Sequence, residues 1–140
     1  MMAAFTVPIF SGAQDRAQEM QLINNARQVY MGCKIYAVEN DGIWPENLQQ
    51  LVDAEVIDPT SGILEAPEFM GPELSGQMMF QLMAPGQSDE NFDPKREVIM
   101  SVAPVGMLEK WIIVFADGSV EAVAREELDS ALNPAVEPVE

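Results

Sequence analysis

The sequence predicts an α+β fold in which a long N-terminal helix packs on an antiparallel sheet of three to four strands. Apolar residues recur at steps of three and four between about Ala13 and Glu39, which indicates an amphipathic helix. Short apolar runs bounded by Pro or Gly fill the second half of the chain, which indicates strands. Helices followed by strands are typical of α+β proteins. The 140 residues are the size of one domain, so we expect residues 1–140 to form a single unit.

The predicted long helix covers residues 13–39. Its apolar face contains Leu22, Ala26, Val29, Cys33 and Tyr36. The following Asn40-Asp41-Gly42 ends it, because Asn and Gly tolerate the left-handed conformation found at helix C-termini.

Residues 1–12 begin with a nearly continuous apolar run, Met1–Phe10, about half the length of a membrane span. One interpretation is an arm that packs on the core of the domain. The other, which we favour, is the end of a longer hydrophobic helix whose first part lies upstream.

Residues 40–76 are expected to contain a short helix and a loop. Pro45 is placed for the first turn of a helix that ends near Ala54, with Leu48, Leu51 and Val52 on its apolar face. Three prolines and three glycines between residues 57 and 76 then favour a long ordered loop.

Residues 77–124 are expected to form the sheet. The predicted strands are Gln77–Ala84, Glu97–Ala103, Lys110–Ala116 and Ser119–Ala124. Asp117-Gly118 joins the last two, and Asp-Gly between extended runs is a strong hairpin signal because both residues accept positive φ. A closing helix is predicted over 125–132, with Leu128 and Leu132 on one face, and a tail over 133–140.

The charge is strongly acidic and unevenly distributed. Seven basic against 23 acidic residues give a net charge of −16, which disfavours binding to DNA or RNA. Residues 1–40 contain three acidic and three basic residues and sum to zero, so the whole excess lies in residues 41–140.

Several kinds of chemistry are disfavoured by residues that the chain lacks. Histidine, the commonest general base and transition-metal ligand, is absent. The single cysteine, Cys33, forms no internal disulfide and lies on the apolar face of the helix, where we expect a core residue. We therefore expect a protein that is not an enzyme. A hydrolase that works with paired carboxylates alone is the weakest alternative, because the sequence singles out no such pair.

The spacing of Asp89, Asn91 and Asp93 matches the oxygen ligands that open a calcium loop of the EF-hand type. Pro94 stands where such loops need Gly, and Met100 stands where they have a bidentate Glu, so an EF-hand is excluded. Two alternatives remain, a looser calcium site built from these oxygens or a solvated polar loop. Calcium is the only cofactor that the sequence suggests.

Other polar and soft residues have structural explanations. Asp117 is a candidate carboxylate that the turn explains, while Glu126 and Glu127 suit the first turn of a helix because the helix dipole favours negative charge there. The chain has ten methionines, for which core filling is the favoured explanation and an adaptable binding surface the alternative. Half of them lie in or near the predicted strands: Met78, Met79, Met83, Met100 and Met107.

Three segments together resemble the pseudopilins of type II secretion and related type IV pilin-like proteins. The segment Asn24–Leu48, with Tyr36-Ala37, Asn40-Asp41-Gly42 and Trp44-Pro45, is similar to the end of the first helix in that family. Residues 3–13 resemble the end of the family's hydrophobic helix. Val114–Glu121, around Asp117-Gly118, resembles its late hairpin, with Ser119 where histidine is frequent. The resemblance covers roughly residues 3–55 and 112–124.

The resemblance implies a non-enzymatic structural subunit of a type II secretion pseudopilus or a type IV pilus-like filament. The hydrophobic helix would anchor the full-length protein in the inner membrane and then contact other pilin-like subunits, with the head in the periplasm or outside. Calcium held near the strands in such heads would point to Ser88–Asp93. The chain lacks a basic leader, a Gly-Phe processing site and an early glutamate, which we expect of a soluble truncated form. The alternative function is a soluble α+β interaction module, acting as a monomer or dimer.

Overall fold

The computed structural model describes the backbone of residues 2–124 and Glu127, and the side chains of residues 14–90, 92–124 and 127. One long helix packs against a four-stranded antiparallel sheet, an α+β arrangement as the sequence predicts. The helices are α1 (Met2–Glu39) and α2 (Gln49–Asp53), and the strands are β1 (Phe80–Leu82), β2 (Glu97–Ser101), β3 (Lys110–Phe115) and β4 (Val120–Ala124). Three short 3-10 turns lie between them, at Pro59–Ser61, Glu68–Met70 and Asp89–Asn91.

Helix α1 is longer than the helix predicted over 13–39, because it begins at Met2 and includes the apolar N-terminal run. It ends where the sequence predicts. Asp41 and Gly42 both adopt positive φ, of 60° and 82°, and the Gly42 N–H donates to the carbonyl of Ala37 at 2.7 Å. The Asn40 side chain also donates to the carbonyl of Tyr36, so side chain and backbone together satisfy the last turn.

The strands follow one another in the order β1-β2-β3-β4, each antiparallel to its neighbour. The predicted hairpin joins β3 and β4, with Val114 opposite Val120. Its turn is built as expected, because Gly118 has a φ of 91° and the Asp117 carboxylate accepts hydrogen bonds from the N–H and hydroxyl of Ser119. β1 is shorter than the predicted Gln77–Ala84, since Met78 pairs instead with Glu65 in an isolated bridge.

Helix α1 lies along one face of the sheet and runs beside β3 in the same direction. Glu19 is near Lys110 at the start of β3, and the Tyr30 hydroxyl donates to the carbonyl of Ala116 just after its end. The face of α1 toward the sheet is fully buried, and we call it the buried stripe: Leu22, Ala26, Val29, Cys33 and Ala37. Burying a large aliphatic side chain stabilises a fold by about 1.5–3 kcal/mol, so this stripe holds the helix on the sheet.

The segment between α1 and β1 closes the same core. Trp44 is buried and meets Tyr30 and Phe92 edge-on, with ring centroids 6.1 and 5.6 Å apart. The short helix is confined to Gln49–Asp53 and does not start at Pro45. The residues before this helix are hydrogen-bonded to the loop after β1. The carbonyl of Pro45 accepts from the N–H of Gly86, and the N–H of Trp44 donates to the carbonyl of Gln87.

The second face of the sheet carries a smaller apolar cluster. Met100, Ile113 and Val123 are buried there, with Met83, Trp111 and Phe115 packed against them. Neighbouring residues of β3, Ile112 and Val114, point to the main core instead, as the alternation of side chains along a strand requires. The predicted closing helix over 125–132 and the tail over 133–140 lie outside the described residues, apart from Glu127, which is helical.

Candidate functional site

The outer surface of α1 carries a line of exposed apolar side chains, which we call the outer stripe: Met20, Met31, Ile35 and Val38. Their exposed fractions are 47, 57, 46 and 82%. At 3.6 residues per turn, they lie about half a turn from the buried stripe. The helix therefore has exposed apolar side chains opposite the buried stripe, mainly near its C-terminal end, with the polar Asn24 and Gln28 exposed between Met20 and Met31. A helix that only covers a sheet has one apolar side.

The charged residues of α1 are sorted by sign between these two sides. Asp15 accepts a hydrogen bond from the N–H of Met107 at 2.8 Å, and Glu19 lies 3.6 Å from the ammonium of Lys110. Both acidic residues are thus engaged with the body of the protein. Arg16 and Arg27 are exposed, and within the described part of α1 the exposed acidic residue is Glu39 at its last position. The outer side of α1 is therefore partly apolar and slightly basic in a chain with a net charge of −16.

The structure places the proposed calcium ligands in the loop before β2. Asp89 turns toward α1, where its carboxylate is 3.1 Å from the Lys34 ammonium. Asp93 is exposed, and its carboxylate accepts from the N–H of Lys95 at 2.9 Å. Of Asn91 only the backbone is described, in a 3-10 turn. In the described part of the chain no three acidic, thiol or imidazole side chains come together to hold a metal ion, and calcium binding stays a prediction.

Asp117 lies at the exposed tip of the β3–β4 hairpin, beside a shallow groove that it shares with Lys95 and Glu121. Hydrogen bonds from the hydroxyl and the N–H of Ser119 hold the pKa of Asp117 below its usual range. A low pKa keeps this carboxylate ionised at neutral pH, which does not suit a general acid. The contacts of Asp117 are those of a turn residue.

Cys33 is buried among apolar side chains, as the sequence predicts. Burial raises the pKa of its thiol to about 12, so the thiol is neutral and unreactive at physiological pH. Burial also raises the pKa of Tyr30, whose hydroxyl is engaged with the carbonyl of Ala116. Both groups act as parts of the core.

The methionines divide between core and surface. Met79 and Met100 are buried and Met83 is half-buried, so core filling is confirmed for them. It is wrong for Met107, which is 76% exposed, and Met78 is 40% exposed. Met107 and the 71% exposed Leu108 lie in the loop between β2 and β3, where no core side chain is needed.

Sequence reasoning missed both exposed apolar features. For the outer stripe a signal was present, because Met31, Ile35 and Val38 follow steps of four and three on the side of the helix away from Cys33. For Met107 and Leu108 the sequence carries no such signal, since a short loop has no fixed periodicity.

Comparisons with protein-family models, with curated proteins and with solved structures gave no match for this chain. Among the described residues, no helix is both long enough and apolar enough to span a membrane.

Proposed function

We propose that this protein is a non-enzymatic structural subunit of a filament, of the type II secretion pseudopilus or type IV pilus-like class. The observation that supports this proposal best is the outer stripe of α1. A subunit that packs side by side with its neighbours needs an apolar surface beyond the one that closes its own core. The outer stripe is such a surface, and it lies on a helix whose first residues are themselves apolar.

The anchoring part of the proposal rests on the continuity of α1. The helix runs without a break from the apolar residues 2–10 to the residues that cover the sheet. In the full-length protein this apolar end inserts in the inner membrane and later contacts neighbouring subunits, while the acidic head lies in the periplasm or outside the cell.

The partners are other pilin-like subunits, including further copies of this chain. Arg16 and Arg27 on the outer side of α1 are complementary to the acidic head of a neighbour. Two helices that face each other through Met31, Ile35 and Val38 bury apolar area at about 25 cal/mol per Å². The arginines then favour one orientation of the neighbour, and the apolar residues supply the affinity.

The test is assembly in the native cells after the double substitution Ile35→Glu with Val38→Glu in the full-length protein. Both side chains are exposed, so we expect an unchanged melting temperature of the purified chain and a loss of cross-linked multimers. Met78→Glu is the matched control, since it adds a charge at an exposed methionine far from α1 along the chain. Undiminished multimers in the double variant would contradict the proposal.

A second test separates the anchored subunit from the soluble interaction module. Removing residues 1–13 shifts an anchored protein from the membrane fraction to the soluble fraction and leaves the melting temperature of the head nearly unchanged. For a soluble module whose apolar arm completes its own core, the same deletion lowers the melting temperature. A full-length protein found in the soluble fraction without any deletion would refute the anchored subunit.

A further inference from the structure

We infer that the tip of the β2–β3 loop, Met107 and Leu108, is a second membrane contact that rests on the lipid surface beside the point where α1 enters the bilayer. The inference builds on the proposed anchoring of α1. It adds a surface of the head, a partner of stated chemistry and an orientation of the head relative to the membrane.

The loop presents these two side chains in a fixed position. Val105 and Lys110 pair across its base, and each donates its N–H to the other's carbonyl, at 2.9 and 3.0 Å. The N–H of Met107 is held by the Asp15 carboxylate at 2.8 Å. Glu109 adopts a φ of 51°, which is uncommon for a residue other than Gly. A tip held in this way exposes Met107 by 76% and Leu108 by 71% although nothing in its backbone requires apolar residues there.

The height of the tip along α1 fits the lipid surface. The apolar run ends at Phe10, and Asp15, which holds the tip, follows five residues later. At 1.5 Å per residue, this separation is about 7.5 Å along the helix. The polar headgroup layer on each side of the hydrocarbon core is about 5–7.5 Å thick. When Phe10 lies at the edge of the hydrocarbon, the tip therefore lies at the outer edge of the headgroup layer.

The charge around the tip also suits a lipid surface. The exposed Arg16 and Lys110 at the base of the loop are opposed by Asp15, Glu19 and the exposed Glu109, so the charges around the tip nearly cancel. An acidic head with a net charge of −16 is repelled by anionic lipids, and a part of it where the charges nearly cancel meets less of this repulsion. Phe69 and Pro104, both half-buried, line an open groove beside Met107 and extend the apolar surface.

The test uses a fluorescent label that reports a change from water to lipid. Cys33 is buried and unreactive, so Leu108→Cys provides a single reactive thiol for an environment-sensitive dye such as a nitrobenzoxadiazole. The probe is the chain Met1–Glu140 with vesicles of phosphatidylethanolamine and a minority of phosphatidylglycerol. We expect a blue shift and higher emission on vesicle addition. Glu39→Cys, about 36 Å farther along α1, is the labelled control and should show neither change.

A matched pair of variants measures the affinity of the tip. Replacing Met107 and Leu108 by Ser should weaken vesicle binding about tenfold, which corresponds to about 1.4 kcal/mol. Ile43→Ser removes an exposed apolar side chain just beyond the far end of α1, outside the outer stripe, and should leave vesicle binding unchanged.

The outcomes separate this inference from the proposed function. The inference is supported when the chain binds vesicles and the dye shows a blue shift at position 108 but not at position 39. Vesicle binding without that shift overturns it and leaves the anchoring of α1 intact. A chain that does not bind vesicles at all also overturns the inference. The role of the outer stripe in assembly is tested independently, by whether the Ile35→Glu, Val38→Glu variant still forms cross-linked multimers.

Discussion

Single side chains of α1 decide how firmly the helix is held on the sheet. Tyr30 is the clearest example, because its ring packs edge-on against Trp44 and its hydroxyl donates to the carbonyl of Ala116 at 2.7 Å. The contact joins residues 86 positions apart. It therefore fixes the helix relative to the end of β3, which no local interaction within α1 achieves.

Removing this hydroxyl should destabilise the fold. For Tyr30→Phe we expect a loss of about 1 kcal/mol in the free energy of unfolding, because the carbonyl of Ala116 loses a half-buried donor. Tyr36→Phe is the matched control, since its hydroxyl makes a longer contact of 3.4 Å with the side chain of Gln50. Urea unfolding of both variants measures the difference. An equal loss in the two would show that the bond to Ala116 has no special role.

The buried thiol of Cys33 should make stability depend on alkaline pH. Its pKa is about 12 in the folded chain against an ordinary value of 9.0. The neutral thiol therefore contributes fully to the free energy of unfolding below pH 9. This contribution is lost as the pH rises from 9 toward 12, by up to about 1.4 kcal/mol per pH unit. Denaturant unfolding across this range measures the slope. In Cys33→Ala, the unfolding free energy should fall less steeply with pH, because one titrating proton is gone. The remaining slope includes the part due to Tyr30, whose pKa is also raised. Identical slopes in the two proteins would refute this account.

At the scale of elements, the β3–β4 hairpin touches α1 through its turn. A Cβ at Gly118 would meet the ring of Tyr30 at 3.2 Å, and the φ of Gly118 is 91°. The turn thus needs glycine for its backbone and also for the close approach of the helix. The sequence shows the first requirement in Asp117-Gly118, but the second depends on a residue of another element.

Two glycine substitutions separate these requirements. Gly62→Ala introduces a side chain at a φ of 77° into open space, so we expect a loss of about 1 kcal/mol from the backbone alone. Gly118→Ala adds the contact with Tyr30 and should cost about 1 kcal/mol more. Thermal unfolding compares the two variants. A smaller loss at Gly118 than at Gly62 would show that the helix is not held against the turn.

The sequence predicts the features that depend on neighbouring residues and misses those that depend on contacts between distant parts of the chain. The end of α1, the hairpin and the α+β arrangement are encoded by local patterns, such as the helical spacing from Leu22 to Cys33. The start of α2 and the length of β1 are not. The carbonyl of Pro45 accepts from the N–H of Gly86, and Met78 is placed opposite Glu65 by the hydrogen bonds of its neighbours in the chain. The same limit applies to the site: the spacing of Asp89 and Asp93 suggests a cation, but only the fold brings Lys34 to Asp89.

For the whole molecule, two effects oppose each other when copies of the chain associate. The net charge drives the copies apart, and the apolar outer stripe draws them together. Copies with a charge of −16 repel one another, and the two exposed arginines of α1 are too few to reverse that sign. The apolar contact is short-ranged and almost independent of salt, while the repulsion is screened by it. Assembly of the chain is therefore expected to respond to ionic strength.

Raising the salt concentration from roughly 0.01 to roughly 0.1 M shortens the screening length from about 30 to about 10 Å. We expect the average mass of the chain in analytical ultracentrifugation to increase over this range, because repulsion between heads weakens and the outer stripes remain. The variant Ile35→Glu with Val38→Glu should stay monomeric throughout. If the average mass falls as salt is added, the association depends on ion pairs, and the proposal of an apolar interface is refuted.

The pairing of the first helix with the last strands has a consequence for synthesis. Tyr30 leaves the ribosome well before its partner Ala116, which follows 86 residues later. At about 5–20 residues per second, this delay is about 4–17 s, far longer than a helix or a hairpin needs to form. During that time the buried stripe of α1 has no sheet to cover it, and the nascent helix presents apolar residues on both of its sides. The segment is therefore exposed to aggregation during synthesis until the last hairpin is made.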